Sequence, residues 1–444
     1  MKQLRRLVCL LALFLSATTL VAQDHKPVVT SIELNDGDTF MFLGDSITHQ
    51  CLYTQYVEDY YYTRYPTKRI HFYNSGISGD KASDALSRFE GDIADLKPNY
   101  VTVLLGMNDG RYLHFDHDIY GTYEKDMTTL VDKLEATGAT LILMGPSMYD
   151  SRVSVKSPPR WVAQNKDQVR QVTNYYAGVL AFFGAWVRDQ ATHRGHGYVD
   201  LQHPMEALTR QQRKDNPNFT MIPDAVHPDA NGQAVMAFNI LSQMNASKRV
   251  SNLNASIRRG EWHVAGGPGE VSEIEGDDSS VSFTFKAESL PWVLPPDASL
   301  GYKLTNAGHK LSAERLTVSG LKPGKYDLLI DGVKVGTYPH TRLAGKVELQ
   351  SNDKTPQYQQ ALKVAMLNKE RNEQAVRPHR GLWAKFRSKF LRTGKVGTDE
   401  YNAYLPEFKK QVADARAKIA EYDEKIYAIN QPTPHRYQIV PAAK

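Results

Sequence analysis

From residue 39 to about residue 244 the chain alternates short, almost continuously apolar runs with longer amphipathic stretches. No other feature of the sequence constrains the fold as strongly. The runs at 39–43, 70–74, 101–105, 139–144 and 197–201 read as five strands. Each lacks a polar face, which fits parallel strands covered by helices on both sides. The stretches at 52–64, 81–96, 120–137, 166–190 and 232–245 read as the covering helices. The expected architecture is a three-layer α/β domain.

At 444 residues and 41% hydrophobic content, the chain exceeds one ordinary domain and has enough apolar material for a sizeable core. Lys2, Arg5 and Arg6 precede an apolar run at 7–15 and then small residues up to Ala22, the pattern of a secretory signal cleaved near Ala22. Residues 1–22 are set apart from the fold on that basis, and a secreted or periplasmic location is expected. Beyond them no apolar run is long enough to span a bilayer. Removing the leader takes the net charge from +5 to +2, which gives no general bias towards nucleic acid. Cys51 is then the sole cysteine, so neither an intrachain disulfide nor a thiolate metal site can form.

The composition shifts after about residue 249, where β-type runs appear at 281–285, 315–318, 326–330 and 333–338. Asp331-Gly332 between the last two is a type I′ hairpin signal. Stretches at 357–392 and 400–430, rich in Ala, Lys, Glu and Gln, flank a turn at 393–397 and read as a helical hairpin. The expected domains are an α/β unit over 23–250, a β-rich accessory module over 251–352 and a basic hairpin and tail over 353–444. That last segment carries 18 Lys+Arg against 10 Asp+Glu, which leaves residues 23–352 at −6.

Four motifs fall at the carboxyl edge of the predicted sheet or just before its last helix, the edge where open α/β sheets bind ligands. Gly44-Asp45-Ser46 closes the first strand, and Asn74-Ser75-Gly76-Ile77-Ser78-Gly79-Asp80 follows the second. Gly106-Met107-Asn108-Asp109 closes the third. Asp224-Ala225-Val226-His227 precedes the final helix, and an Asp three residues before a His can orient its imidazole within one loop.

These four blocks resemble the SGNH (GDSL-type) hydrolase family over roughly residues 37–246. The resemblance implies a flavodoxin-like three-layer α/β/α domain with a five-stranded parallel sheet. It also implies that Ser46 is the nucleophile, His227 the general base and Asp224 the residue orienting that base. The Ser46 and Gly79 backbone N–H groups and the Asn108 side chain would form the oxyanion hole, with Gly76 as an alternative to Gly79. The chemistry is consistent with this, because a serine hydroxyl becomes a useful nucleophile only when an adjacent base takes its proton. The expected function is that of a secreted carboxylic ester hydrolase acting on an acyl ester, an O-acetyl group on a carbohydrate foremost. A lipolytic esterase or lysophospholipase, and an inert domain serving a glycan- or partner-binding protein, are the alternatives. No metal or organic cofactor is required, and the expected partner is a small-molecule or glycan ester.

Other signals read as structural. His114, Asp116, His117 and Asp118 match no metal-ligand spacing and read as a polar loop. Tyr53, Tyr56 and Tyr60 at helical spacing read as a buried stripe. Trp161 and Tyr149, in the connection over 146–166, read as pocket-shaping residues. Arg377, Arg380, Lys385, Arg387, Lys389 and Arg392 read as a solvated helix face, with polyanion binding as the alternative.

Overall fold

The computed structural model describes residues 27–162 and 165–443, so the expected leader over 1–22 lies outside the described residues. Five strands, β1 (Thr39–Gly44), β2 (His71–Gly76), β3 (Tyr100–Leu104), β4 (Thr140–Met144) and β5 (Gly197–Val199), form one sheet in the order β2-β1-β3-β4-β5. Every neighbouring pair is parallel. This is the flavodoxin-like order. The Tyr53–Arg64 and Ala230–Gln243 helices pack together in one layer and His117–Ala136 and Lys166–Arg194 in the other.

Two connections differ from the sequence expectation. The helix expected over 81–96 is broken into Ala82–Ser87, Phe89–Asp92 and a short 3-10 turn at Ala94–Leu96. The break follows from Arg88, whose buried guanidinium turns inward and donates to the Ser75 carbonyl at 2.7 Å. The connection over 146–166 contains a Ser151–Lys156 helix capped by Asp150, and a further helix at Gln202–Gln212 was not anticipated.

The tyrosine-rich Tyr53–Arg64 helix is buried at all twelve positions, polar ones included, rather than along a single stripe. Its two acidic side chains meet partners from the chain's far end. Asn372 Nδ2 donates to Glu58 at 2.9 Å, Arg371 pairs with Glu58 at 3.3 Å, and Asn368 Nδ2 donates to Asp59 at 2.8 Å. The indole of Trp292 donates to the Tyr56 carbonyl at 3.0 Å. A helix of this composition is stable only when such partners surround it.

Beyond the α/β unit lie β6 (Arg249–Arg258), β7 (Glu261–Gly267), β8 (Gly269–Gly276), β9 (Val281–Ala287), β10 (Ala313–Ser319), β11 (Lys325–Ile330), β12 (Val333–Pro339), β13 (Val347–Glu348) and β14 (His435–Pro441). They form a sheet of order β13-β10-β6-β7 and another of order β12-β11-β14-β9-β8. Both contribute to one apolar core that includes Leu253, Phe283, Leu316, Leu328, Tyr437 and Ile439. The expected hairpin turn is present, with Asp331 and Gly332 both at positive φ between paired Ile330 and Val333. The helical hairpin is also present. Its first arm runs as Pro356–Arg371, a π-helical Asn372–Val376, Arg377–Phe386 and a π-helical Arg387–Leu391, and Asp399–Ile429 returns.

After this hairpin the chain re-enters the second sheet as β14, between β11 and β9. The buried Ile439 therefore links the tail to the β core. We expect Ile439→Ala to lower the unfolding free energy by about 2–4 kcal/mol in urea titrations. A loss below about 1 kcal/mol would show that β14 is not an integral strand.

Candidate active site

Strand β1 ends in Gly44 because the next turn folds back on it: a Cβ there would lie 2.1 Å from Thr48 Oγ1. Asp45 then caps the Ser46–His49 helical turn, its Oδ1 accepting the Ile47 N–H at 2.9 Å. Full burial pushes the Asp45 carboxyl up to about 6, although the Ile47 N–H and nearby His227 work against the shift. The cap holds Ser46 at the carboxyl edge of the sheet.

The loop before the Ala230–Gln243 helix brings Asp224 and His227 to the same edge. Asp224 Oδ1 accepts the Val226 and His227 backbone N–H groups at 3.0 and 2.7 Å. Its Oδ2 lies 2.7 Å from His227 Nδ1, and His227 Nε2 lies 2.8 Å from Ser46 Oγ. Partial burial acts to raise the Asp224 carboxyl, but the hydrogen bonds from His227 and Val226 outweigh it and hold it below the usual carboxylate value. A continuous Asp–His–Ser chain of hydrogen bonds results.

Asn108 follows β3 with its amide oriented from both ends. Nδ2 donates to the Asp80 carbonyl at 3.0 Å, and Oδ1 accepts from the Tyr112 hydroxyl at 3.1 Å. The second Nδ2 hydrogen is left over. Asp109 ties the loops together, its two oxygens accepting the Gly106 and Ala82 N–H groups at 3.0 and 2.9 Å. Burial pushes its carboxyl up to about 7 despite those bonds. Gly79 stands at φ +77°, in the left-handed region that favours glycine. Among the described residues, neither the Gly79 nor the Ser46 backbone N–H has a hydrogen-bond partner. Gly76 differs, because its N–H already donates to Asn74 Oδ1 at 2.8 Å.

The turn bearing Gly79 is gripped by the arginines that the sequence presented as a solvated helix face. That reading is corrected for Arg380 and Arg387, which are buried, and for Arg392, which is exposed but engaged with the turn, whereas Arg377, Lys385 and Lys389 are exposed as expected. Arg380 donates to the Gly76 carbonyl at 3.2 Å and forks onto Asp92 at 2.7 and 2.6 Å. Arg387 donates to the Ser78 carbonyl at 3.2 Å and pairs with Asp80. Arg392 donates to the Gly79 carbonyl at 2.7 Å and forks onto Asp84 at 2.6 and 2.7 Å. Burial acts to raise Asp92, but Arg380 and Arg88 prevail and bring its carboxyl down to about 2. The sequence signal was the heptad spacing of Arg380 and Arg387, which puts both on one helix face, but nothing in it identified the acidic partners.

On its other side the turn leans on His49. Burial, reinforced by the surrounding arginines, lowers this imidazole to about 4, so it is neutral and its Nδ1 accepts the Ser78 N–H at 3.1 Å. Asp116 caps the His117–Ala136 helix through Asp118 and Ile119, and His114 meets Gln171 at 2.9 Å. Tyr149 is buried, whereas Trp161 is 51% exposed. The Trp161 ring meets His227 edge-on at 6.1 Å and Tyr112 at 5.5 Å. A cleft of about 450 Å³ opens here, lined by Gly79, Asn108, Tyr112, Trp161 and Arg392 among others.

Residues 42–235 match the model of the GDSL-like lipase/acylhydrolase family. An acetylxylan esterase from Geobacillus stearothermophilus is 24% identical over 234 residues, which span 48% of this chain and 96% of that protein. Among solved structures, a gut microbial diltiazem-metabolizing enzyme aligns over 93% of this chain and 99% of its own, at 26% identity and a TM-score of 0.78. A catalytic mutant of the Geobacillus stearothermophilus acetylxylan esterase covers 49% of this chain and 98% of its own, at 22% identity and a TM-score of 0.38. Residues 42–235 thus form a GDSL-like lipase/acylhydrolase (SGNH-type) domain, that of a carboxylic ester hydrolase.

Proposed function

We propose that the protein is an exported serine esterase that removes an acyl group, an O-acetyl in the first instance, from a carbohydrate through an acyl-enzyme intermediate. The observation that carries this reading is the unbroken Asp224–His227–Ser46 hydrogen-bond chain beside unengaged N–H donors of Ser46, Gly79 and Asn108. The match to an acetylxylan esterase supports the acetyl group and the carbohydrate, and the exposed Trp161 supports a sugar ring, which stacks on aromatic faces. The leader pattern over 1–22 supports export.

In this mechanism Ser46 Oγ attacks the ester carbonyl as its proton passes to His227 Nε2. Asp224 holds Nδ1–H, fixes the tautomer and stabilises the imidazolium. The carbonyl oxygen becomes an oxyanion that accepts from the Ser46 and Gly79 amides and the free Asn108 Nδ2 hydrogen. Collapse of this intermediate breaks the bond to the sugar oxygen, which takes the proton from His227 and leaves as an alcohol. Water then gives a proton to His227 and its oxygen to the acyl carbon; the bond from that carbon to Ser46 Oγ breaks, Oγ takes the proton from His227, and the carboxylic acid leaves. Only neutral imidazole can start either half, since it must accept the nucleophile's proton.

Peptide mass spectrometry after treatment with a reactive organophosphonate tests the nucleophile without a substrate guess. We expect one adduct on the Ser46 peptide, absent in Ser46→Ala and slow in His227→Ala; an adduct retained in Ser46→Ala would remove Ser46 from this role. Asn108→Ala should lower kcat by ~100- to 1000-fold with a smaller change in KM. An unchanged kcat would take Asn108 out of the oxyanion hole. Because Arg392 holds the peptide that follows Gly79 and so anchors one side of the turn, Arg392→Ala should lower kcat by about tenfold at nearly constant KM and Tm, and Arg392→Lys should recover part of it. Equal losses in the Ala and Lys variants, accompanied by a fall in Tm, would reduce Arg392 to a structural residue.

A further inference from the structure

The cleft beside Gly79 and Asn108 carries a charge pattern that ester hydrolysis does not require. Its charged lining residues are Lys81, Asp84, Arg111 and Arg392. Asp84 and Arg392 neutralise each other through the forked pair at 2.6 and 2.7 Å. Lys81 and Arg111 have no such partner: among the described residues neither side chain makes an ion pair or a hydrogen bond. This local excess of positive charge stands out because residues 23–352 as a whole carry a net charge of −6.

Both cations are tied closely to the proposed oxyanion donors. Lys81 lies two residues beyond Gly79, and its backbone N–H is held by Asp84 at 3.0 Å. Arg111 lies three residues beyond Asn108, and its N–H donates to the Asn108 carbonyl at 3.1 Å. Arg111 and Tyr112 are consecutive non-glycine residues in the left-handed region, at φ 54° and 57°. L side chains seldom adopt that conformation once, let alone twice in succession. Here it seats the Tyr112 hydroxyl on Asn108 and leaves exposed Arg111 on the cleft wall. Trp161 completes the arrangement, since it lines the same cleft and meets the His227 ring. A sugar ring lying on Trp161 would have the catalytic groups on one side and the two free cations on another.

We propose that this cleft takes an ester of an acidic sugar, with the carboxylate of a uronic acid unit held by Arg111 and Lys81. The Arg111 guanidinium fork matches a carboxylate in plane, and the Lys81 ammonium adds a point charge. A neutral glycan would offer neither cation a carboxylate to pair with. The inference rests on the carbohydrate-esterase reading above and sharpens it by naming the substrate class.

The test compares acetate release from O-acetylated oligogalacturonides and from acetylated xylo-oligosaccharides by the full-length mature enzyme, with p-nitrophenyl acetate as a third substrate. We expect kcat/KM to favour the uronate ester by about tenfold at low salt and the preference to shrink in about 0.5 M NaCl. Arg111→Gln and Lys81→Gln should each raise KM for the uronate ester severalfold more than for the xylo-oligosaccharide. Equal kcat/KM for the two glycans, or variants that weaken both equally, would overturn the acidic-sugar assignment and leave the carbohydrate reading standing. Turnover of p-nitrophenyl acetate with neither glycan cleaved would overturn both.

Discussion

The proposed oxyanion turn depends on a buried network of arginines and aspartates whose members come from opposite ends of the chain. Arg88, Arg380 and Asp92 are fully buried, and Arg387 with Asp80 nearly so. Burying any one of these charges alone would cost several kcal/mol, so the network forms only as a whole. Its members also donate to successive main-chain carbonyls, from Arg88 on Ser75 to Arg380 on Gly76, Arg387 on Ser78 and Arg392 on Gly79. Each carbonyl so held fixes the peptide plane beside it. The Gly79 N–H shares its peptide plane with the Ser78 carbonyl, so Arg387 on that carbonyl keeps the N–H in one direction, as a preorganised oxyanion donor must.

The same logic extends to the Tyr53–Arg64 helix, which begins just after the Ser46–His49 turn. Glu58 and Asp59 are buried, and burial acts to raise both carboxyls against the influence of Arg371, Asn368 and Asn372. Without the tail's Arg371, Asn368 and Asn372 these carboxylates would face an apolar layer unpaired. The tail is therefore part of the scaffold on which the serine and the oxyanion turn both rest. The β module is joined to it through Trp292, which reaches the same helix, and through β14, which returns from the tail.

How far the sequence could be read follows from how local each signal was. The strands of the α/β sheet were legible because burial on both faces leaves uninterrupted apolar runs such as Leu141 to Met144. The candidates Ser46, Asn108, Asp224 and His227 could be picked out because each lies in a short motif at a strand edge or helix start. The exposed strands β7 and β8 were not legible, since Glu, Ser and Gly at solvent-facing positions carry no period. Strand β14 follows Pro432 and Pro434 at the chain's end and has meaning only beside β9 and β11. The arginines were misread for a related reason. A guanidinium on an amphipathic helix looks solvated until its carboxylate is known, and Asp92 lies 288 residues from Arg380, Asp84 308 from Arg392.

The acetylxylan esterase from Geobacillus stearothermophilus is matched over 96% of its own length by 48% of this chain, so its counterpart here is the α/β unit alone. That unit in the present protein cannot be detached unchanged. Detaching residues 353–444 would strip Asp80, Asp84 and Asp92 of three of their four arginine partners and free the Gly76, Ser78 and Gly79 carbonyls. The Asp–His–Ser hydrogen bonds themselves involve no tail residue, since Asp224, His227 and Ser46 pair with one another. The proposed nucleophile activation and the proposed oxyanion stabilisation therefore have different structural dependencies in this chain, the first reaching the tail through the Tyr53–Arg64 helix and the second through direct contacts with the helical hairpin. The two π-helical segments, Asn372–Val376 and Arg387–Leu391, belong to the second. Each shifts the register of the first hairpin arm, and the arm presents Arg371, Arg380 and Arg387 in turn to the α/β unit.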